Sequence, residues 1–226
     1  MATPTSVVIP CFNGEAYLAE AIASAKAQLA GPVEIIVVDD GSTDGSGEVA
    51  RAAGVRYVRQ DNAGVAAALN HGVRVATGPC LAFLSADDVW RPEKLALQHA
   101  ALADAPNRLV FSHMLHFVSP ELPAEVAATL VAPPEPMPAF SAGTLLTRLD
   151  TFRAVGELNE GFAVGEFVDW FGRAKDKGLE VVMLPDTVSM RRVHKSNHST
   201  QTLKARSYAP VLKALLDRRR AGRTGQ

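Results

Sequence analysis

The chain has 226 residues, of which 47% are hydrophobic and 21% are charged. This composition excludes disorder over most of the length and is typical of one large α/β domain or two small ones. Two cysteines, Cys11 and Cys80, exclude a disulfide framework. The net charge of −1 hides a split: residues 203–226 carry seven Lys or Arg and one Asp, a net +6, whereas residues 1–202 carry −7.

The sequence also argues against several locations and partners. No apolar stretch reaches the roughly 18 residues that a transmembrane helix requires. The first residues lack the basic and apolar regions of a secretory signal. We therefore expect a cytoplasmic protein. An acidic body with a tail that is poor in aromatic residues argues against nucleic-acid binding.

The first 85 residues alternate between short β-branched runs and alanine-rich amphipathic stretches. In chain order they predict a strand at 6–10, a helix at 15–28, a strand at 34–39, a helix ending at 53, a strand at 55–59, a helix at 63–76 and a strand at 80–84. This rhythm predicts an α/β fold with a Rossmann-type, largely parallel sheet flanked by helices. Ligands of such sheets bind at the carboxyl ends of the strands.

The second half is less regular. It predicts a helix at 92–105, a strand at 109–118, a proline-rich loop or broken helix at 120–138, a strand at 140–148, a helix within 162–177, strands at 180–184 and 187–192, and a helix at 202–220. We predict one compact domain over residues 1–202, followed by a basic C-terminal helix and tail over residues 203–226.

The terminal helix has apolar residues at one-face spacing, at Tyr208, Val211, Leu212, Leu215 and Leu216. Two interpretations stay open for it. The helix docks on the body with a solvated basic face, or it lies peripherally on an anionic membrane surface and brings the protein to a lipid-linked partner.

Pairs of carboxylates follow two of the predicted strands. Asp39 and Asp40 close the second strand, and Asp87 and Asp88 follow the fourth. In a parallel sheet both pairs emerge at the same edge, where they repel one another unless a cation or proton donor joins them. Mg²⁺ prefers a few carboxylates together with substrate phosphates. The alternative is that these residues only cap helices and begin turns.

Four segments carry a resemblance to a known family: VVIPCFNGEAYLAEAI (7–22), EIIVVDDGSTDGS (34–46), RQDNAGVAAALNHGVRVATG (59–78) and CLAFLSADDVWRPEKL (80–95). In this order and spacing, the chain resembles family 2 glycosyltransferases of the GT-A fold. The resemblance implies a GT-A-like domain with a nucleotide-sugar-binding half at 1–105 and a less regular acceptor-side half at 106–202.

The resemblance implies metal-dependent, inverting transfer of a sugar from a nucleotide-diphosphate sugar, with Mg²⁺ or Mn²⁺ as cofactor. The acceptor stays open among a glycan, a lipid-linked sugar, a peptide and a small molecule. The implied donor-binding residues are Pro10, Phe12, Asn13, Asp40, Asn62, Asn70 and Asp87, with Asp40 at the base. The implied metal ligands are Asp88, Asp87 and His194. The charge of Lys195 and of Arg191 or Arg192 suits phosphate.

The general base is expected at Glu166 or Asp169, which share a helix face at i, i+3. The helix dipole alone also explains acids at that position. The chain departs from the family at Ser85, Leu69 and Phe167, where many members have Asp, Arg and Asp. These departures keep a non-catalytic sugar-nucleotide-binding protein open as an alternative. A nucleotidyltransferase is less favoured, because the loop after the first strand lacks Arg and Lys.

Overall fold

Nine strands form one mixed sheet within residues 3–103, 105–195, 197 and 208–223, the part of the chain described by a computed structural model. In chain order they are β1 (Thr5–Cys11), β2 (Val33–Asp39), β3 (Arg56–Arg59), β4 (Cys80–Phe83), β5 (Val89–Trp90), β6 (Arg108–Val118), β7 (Met137–Ala139), β8 (Leu146–Arg148) and β9 (Glu180–Val193). Across the sheet the order is β3-β2-β1-β4-β8-β6-β9-β5, and β7 pairs with β6.

The first four strands are parallel, as the sequence predicted. β1 pairs with β2, with Val7 opposite Ile35, and with β4, with Val7 opposite Ala82. β8 then pairs antiparallel with β4, and β5 and β7 also join as antiparallel strands. The fold is therefore α/β, and the carboxyl ends of β1, β2 and β4 meet at one edge of the sheet.

Helices cover both faces of the sheet. They are α1 (Leu18–Lys26), α2 (Ser46–Ala52), α3 (Val65–Val75), α4 (Lys94–Leu102), α5 (Ala124–Ala127), α6 (Leu149–Val155), α7 (Glu166–Asp176) and α8 (Ala209–Arg223). A 3₁₀ turn (Ala142–Thr144) precedes β8. Among the helices of the described residues, none is both long enough and apolar enough to span a bilayer.

The apolar run of β1 has partners on both sides. Val7 and Ile9 belong to a core layer that includes residues of α1 and α4, whereas Val8 belongs to the opposite layer with residues of α3. A strand covered on both faces reads as a continuous apolar run. Leu69 of α3 lies in the same layer as Val8 and is 3% exposed. This family departure is therefore a core residue.

The structure of the second half differs from the sequence prediction in several places. The predicted strand at 140–148 begins as a 3₁₀ turn, because the Thr144 hydroxyl donates to the carbonyl of Ala139 at 2.6 Å and closes the chain on itself. The two predicted strands at 180–184 and 187–192 are one strand, β9, in which Pro185 and Asp186 bulge out of the ladder with β6. The pattern also missed α6.

The C-terminal helix α8 docks closely on α7. A Cβ at Gly172 would lie 2.5 Å from Leu215 Cδ2, and a Cβ at Gly165 would lie 3.0 Å from the Tyr208 ring. Gly165 also has a φ of +79°, which side chains other than glycine rarely adopt. Both glycines therefore permit this helix packing. The predicted start of the helix at 202 lies outside the described residues.

Lys94 is fully buried at the start of α4. Its Nζ donates to Gln98 Oε1 at 2.6 Å and lies 4.0 Å from the centre of the Trp90 ring. Because no carboxylate is paired with it among these contacts, burial dominates and lowers the pKa of Lys94 to about 7. The amine is therefore largely neutral in the folded protein above that pH.

This buried amine predicts a pH-dependent stability. Between about pH 7 and the ordinary lysine pKa, the unfolded chain holds a proton that the folded chain lacks, so the free energy of unfolding rises with pH. In Lys94→Met this contribution is absent. Urea unfolding at pH 7, 8 and 9 should show wild type gaining up to about 1.4 kcal/mol per pH unit relative to the variant. Parallel pH profiles would contradict the prediction. The variant also loses the hydrogen bond to Gln98, which lowers its free energy of unfolding by the same amount at each pH and so leaves the slope of the profile unchanged.

Candidate functional site

The loops that follow β1 and β2 are tied together at the edge of the sheet. Asn13 accepts a hydrogen bond from the backbone of Thr43 at 2.8 Å and donates its own N–H to Ser42 Oγ at 2.9 Å. The backbone of Asn13 has a φ of 50°. Phe12 beside it is 54% exposed, and Pro10 is half-buried. These three predicted donor-binding residues therefore lie on one loop wall.

Asp39 is the structural anchor of that wall. It is fully buried, and its oxygens accept from the backbone of Ser42 at 2.7 Å, from Tyr57 Oη at 2.5 Å and from Arg59 at 3.1 Å. Burial alone would raise the pKa of Asp39, but the hydrogen bonds from Ser42 and Tyr57 outweigh it and lower the pKa. Both oxygens of its carboxylate are therefore bonded to groups of the protein itself.

Asp40 holds the loop that leads into α3. Its oxygens accept from the backbone N–H groups of Ala63 at 2.9 Å and Gly64 at 2.8 Å, and from Gln60 at 2.8 Å. Asn62, an exposed residue of the same loop, donates to the Asp40 carbonyl at 3.0 Å. Asp40 and Asn62 thus lie together at the predicted edge. Their contact with a nucleotide stays a prediction.

Asn70 makes structural contacts within the protein. Its side chain is fully buried and donates to the Leu158 carbonyl and to Glu160, each at 2.9 Å. It also accepts from the Leu158 backbone at 2.9 Å. Asn70 therefore fixes the loop between α6 and α7. Nothing in these contacts supports the predicted binding of the donor.

The residues of the predicted metal site come together after β4. Asp87 Oδ2 accepts hydrogen bonds from His194 Nε2 and from Asn197, each at 3.0 Å. His194 is 6% exposed, and its backbone N–H donates to Asn197 Oδ1 at 2.6 Å. Asp88 Oδ1 accepts from the backbone of Arg192 at 2.9 Å. Because a carboxylate only accepts, His194 carries its proton on Nε2 and orients Asp87 in this arrangement.

The charges of this turn suit a cation. Burial and the neighbouring charge of Asp87 raise the pKa of Asp88 to about 7. Burial would also raise the pKa of Asp87, but hydrogen bonding and the charge of His194 outweigh it and lower the pKa. Within the described residues, no group of three His, Cys, Asp or Glu side chains is placed to hold a metal ion. Asp87 and Asp88 nevertheless fit Mg²⁺ or Mn²⁺, which also takes substrate phosphates and water as ligands.

Arg192, which the sequence offered with Arg191 as a partner for phosphate, is instead buried beside this turn and bonded within the protein. It is 2% exposed, and its guanidinium donates to the Asp87 carbonyl and to Ser119 Oγ, each at 3.0 Å. It also pairs with Glu20 of α1. The guanidinium carbon lies 4.7 Å from the centre of the Tyr17 ring. Arg192 therefore connects α1, the segment after β6 and the Asp87 turn.

A sequence signal for this role exists. Arg192 and His194 are two residues apart at the end of β9, and side chains at that spacing share a face of a strand. The Tyr17 ring contacts both the guanidinium of Arg192 and the ring of His194, at 4.7 Å from each. The period of two therefore indicated that Arg192 faces the same interior as His194.

The two candidate bases differ in their surroundings. Asp169 is 3% exposed, and its oxygens accept from Arg173 at 3.0 Å and from Arg218 of α8 at 2.5 Å. Both oxygens are therefore held by guanidinium groups. Glu166 is half-buried at the first position of α7. Phe167, which follows it, is 6% exposed in the aromatic core.

Comparisons with known proteins identify the family and the fold of this chain. A model described as glycosyl transferase family 2 matches residues 6–143. An uncharacterized glycosyltransferase of Rickettsia typhi is 37% identical over 129 residues, which are 51% of this chain and 41% of the relative. One of a Nostoc species is 44% identical over 96 residues, 40% of this chain and 30% of the relative. The chain thus spans less than half the length of these curated relatives.

Solved structures match over more of the chain. TarS 1-349 of S. aureus in complex with UDP-GlcNAc has a TM-score of 0.70 at 20% identity, over 88% of this chain and 61% of that one. The mannosyltransferase PcManGT of Pyrobaculum calidifontis in complex with GDP-Man and Mn²⁺ has a TM-score of 0.66 at 20% identity, over 93% and 68%. These likenesses establish the fold, and the family match covers more than half of the sequence. The chain belongs to glycosyl transferase family 2.

Proposed function

We propose that this chain transfers a sugar from a nucleoside-diphosphate sugar to an acceptor, with inversion at the sugar carbon and with Mg²⁺ or Mn²⁺ bound. The observation that carries the proposal is the pairing of Asp87 and Asp88 at the carboxyl end of β4, held by His194 and Arg192. Family membership supports a sugar-nucleotide donor. The structural neighbours bind UDP-GlcNAc, and GDP-Man with Mn²⁺.

Separate groups of residues would bind the cation and the nucleotide. Asp88 and Asp87 would hold the cation, which when bound offsets the charge of the leaving diphosphate. Phe12, Asn13, Asp40 and Asn62 would line the nucleotide side of the edge. Asn70 is left to its structural role.

Glu166 is the base that we favour. It would take the proton of the acceptor hydroxyl while the acceptor oxygen bonds to the sugar carbon and the bond from that carbon to the diphosphate breaks. Asp169 is disfavoured because it is 3% exposed and therefore out of reach of an acceptor hydroxyl, whereas Glu166 is only half-buried. A non-catalytic sugar-nucleotide-binding protein remains the second candidate, because buried Phe167 offers no carboxylate beside Glu166.

A ligand screen tests the donor site. Thermal shift with UDP-, GDP- and dTDP-sugars should show a rise in melting temperature that needs Mn²⁺ and is lost with EDTA. If none of these ligands stabilises the protein, the proposal fails. Acceptor trials on the best donor then separate transfer from binding alone.

Two matched variants test the base. Glu166→Gln should lower kcat by about 10²-fold or more without changing donor affinity, because it removes only the proton acceptor. Asp169→Asn should instead lower the free energy of unfolding by about 2 kcal/mol, because it breaks partly buried ion pairs. Loss of transfer in Asp169→Asn at unchanged stability would reverse this assignment.

We also propose that α8 contacts an anionic membrane surface, which would bring the site to a lipid-linked acceptor. Leu212 and Leu216 are 55% and 53% exposed on α8, whereas Val211 is buried beside α7. The helix carries five Lys or Arg and one Asp. An apolar pair within a basic helix suits binding at a lipid interface.

Vesicle sedimentation tests this contact. Binding to vesicles of phosphatidylglycerol and phosphatidylcholine should exceed binding to phosphatidylcholine alone and should fall with salt. Leu212→Ser with Leu216→Ser should weaken it about tenfold. Leu29→Ser is the control, since Leu29 is 72% exposed outside α8. Equal binding of wild type and the double variant would refute the contact.

A further inference from the structure

A half-exposed aromatic ring lies in the second half of the chain, between β7 and the 3₁₀ turn. Phe140, which follows β7, is 49% exposed. It stacks on Phe171 of α7 with ring centres 5.4 Å apart and planes 20° apart, and it meets Phe111 edge-on at 5.3 Å. Because two rings fix its orientation, Phe140 presents a rigid apolar surface to solvent at no further cost in side-chain entropy.

Two contacts connect the surroundings of this ring with the segment after Asp88 and with the start of α7. On one side, the carbonyl of Gly143, three residues after Phe140, accepts from Trp90 Nε1 at 3.3 Å, and Trp90 lies two residues after Asp88. On the other side, Phe171 stacks in parallel with Phe167 at 6.5 Å, and Phe167 directly follows Glu166.

The 3₁₀ turn beside the ring adjoins open space. A Cβ built at Gly143 would meet no atom within 4 Å. The side chain of Ser141, next to Phe140, is half-buried and caps this turn by accepting from the Thr144 backbone. The surface thus combines one aromatic ring with free volume beside a small, capped turn.

We propose that Phe140 is the stacking platform of an acceptor subsite that takes a pyranose ring. The proposal rests on the transfer function above. An acceptor must present a hydroxyl to Glu166 and also cover an exposed aromatic ring. A pyranose does both, because one face of the sugar carries C–H groups that pack on the negative face of an aromatic ring while its hydroxyls point outward. A single ring matches the area of one sugar unit. The acceptor is therefore a glycan or another sugar-bearing molecule.

Saturation-transfer NMR tests the platform with methyl pyranosides of glucose, galactose, mannose and N-acetylglucosamine, in the presence of UDP or GDP and of Mg²⁺, which is diamagnetic. Wild type should bind at least one of them. Phe140→Ala and Phe140→Leu should weaken that binding about three- to tenfold, because neither offers an aromatic face, and Phe140→Trp should retain it. Met137→Ala is the matched control, since Met137 is 42% exposed on β7 but lies outside the ring stack.

The outcomes separate this proposal from the transfer function. Nucleotide affinity should be equal in wild type and in all Phe140 variants, and near-identical melting temperatures show that they fold. If nucleotide binds but no pyranoside does, or if Phe140→Ala and Phe140→Leu bind pyranosides as wild type does, the platform is refuted and the donor site stands. If neither nucleotide nor pyranoside binds, both proposals fail.

Discussion

Asp88→Asn is expected to lower sugar transfer by about 10²- to 10³-fold, because the variant keeps the shape of the side chain and removes its negative charge. The amide oxygen still accepts the hydrogen bond from the Arg192 backbone, so the turn after β4 should keep its geometry. The loss should appear both in transfer and in Mn²⁺-dependent nucleotide affinity, measured by steady-state kinetics and by calorimetry.

The stability of the same variant distinguishes this explanation from misfolding. A neutral amide no longer repels Asp87, so without metal the melting temperature should equal or exceed that of wild type. Asp186→Asn is the control, because Asp186 is an exposed carboxylate in the bulge of β9. An Asp88→Asn enzyme with more than a tenth of wild-type activity would show that this carboxylate does not hold the ion.

Arg192→Met is the second large expected effect, and it concerns stability first. The thioether side chain keeps much of the apolar volume between the Tyr17 and Phe117 rings. It removes the hydrogen bonds to the Asp87 carbonyl and to Ser119, and it removes the ion pair with Glu20. Because the guanidinium is almost fully buried, we expect a loss of about 3–5 kcal/mol in the free energy of unfolding by urea.

Function should fall in the same variant for a separate reason. Groups that orient metal ligands typically change metal affinity by about 10- to 100-fold, so Mn²⁺-dependent nucleotide binding should weaken about tenfold even where the protein is folded. Arg74→Met is the control, since Arg74 pairs with Glu157 on the surface at 2.7 Å and should contribute less than about 1 kcal/mol. Equal losses in the two variants would contradict the role assigned to Arg192.

The first half of the fold was predictable because its signals are local. Strands buried on both faces give uninterrupted β-branched runs, and the parallel order that follows from them brings Asp40 and Asp87 to one edge. The second half was harder to predict because its structure depends on pairing. Residues 140–148 look extended in sequence, yet the Thr144 hydroxyl closes a turn there.

The roles of Asn70 and Asp169 had no local signal either. Asn70 bonds to residues 88 and 90 positions away, and Asp169 is paired with an arginine 49 positions away. Motif position alone could not show that these polar side chains were already occupied. By contrast, strand ends and the family resemblance pointed to Asp87, Asp88 and His194, and the structure shows the hydrogen bond between Asp87 and His194, while their binding of a metal stays a prediction.

The docking of α8 on α7 determines how the C terminus can be altered in experiments. A protein shortened before Tyr208 would expose the surface at Gly165 and Gly172 and would leave Asp169 without its partner on α8. Such a truncation would weaken α7, which begins at Glu166, even if the removed helix had no function of its own. Point substitutions on the exposed face of α8 therefore test its proposed membrane contact. A loss of activity after truncation of the C terminus would not test that contact, because the truncation also weakens α7.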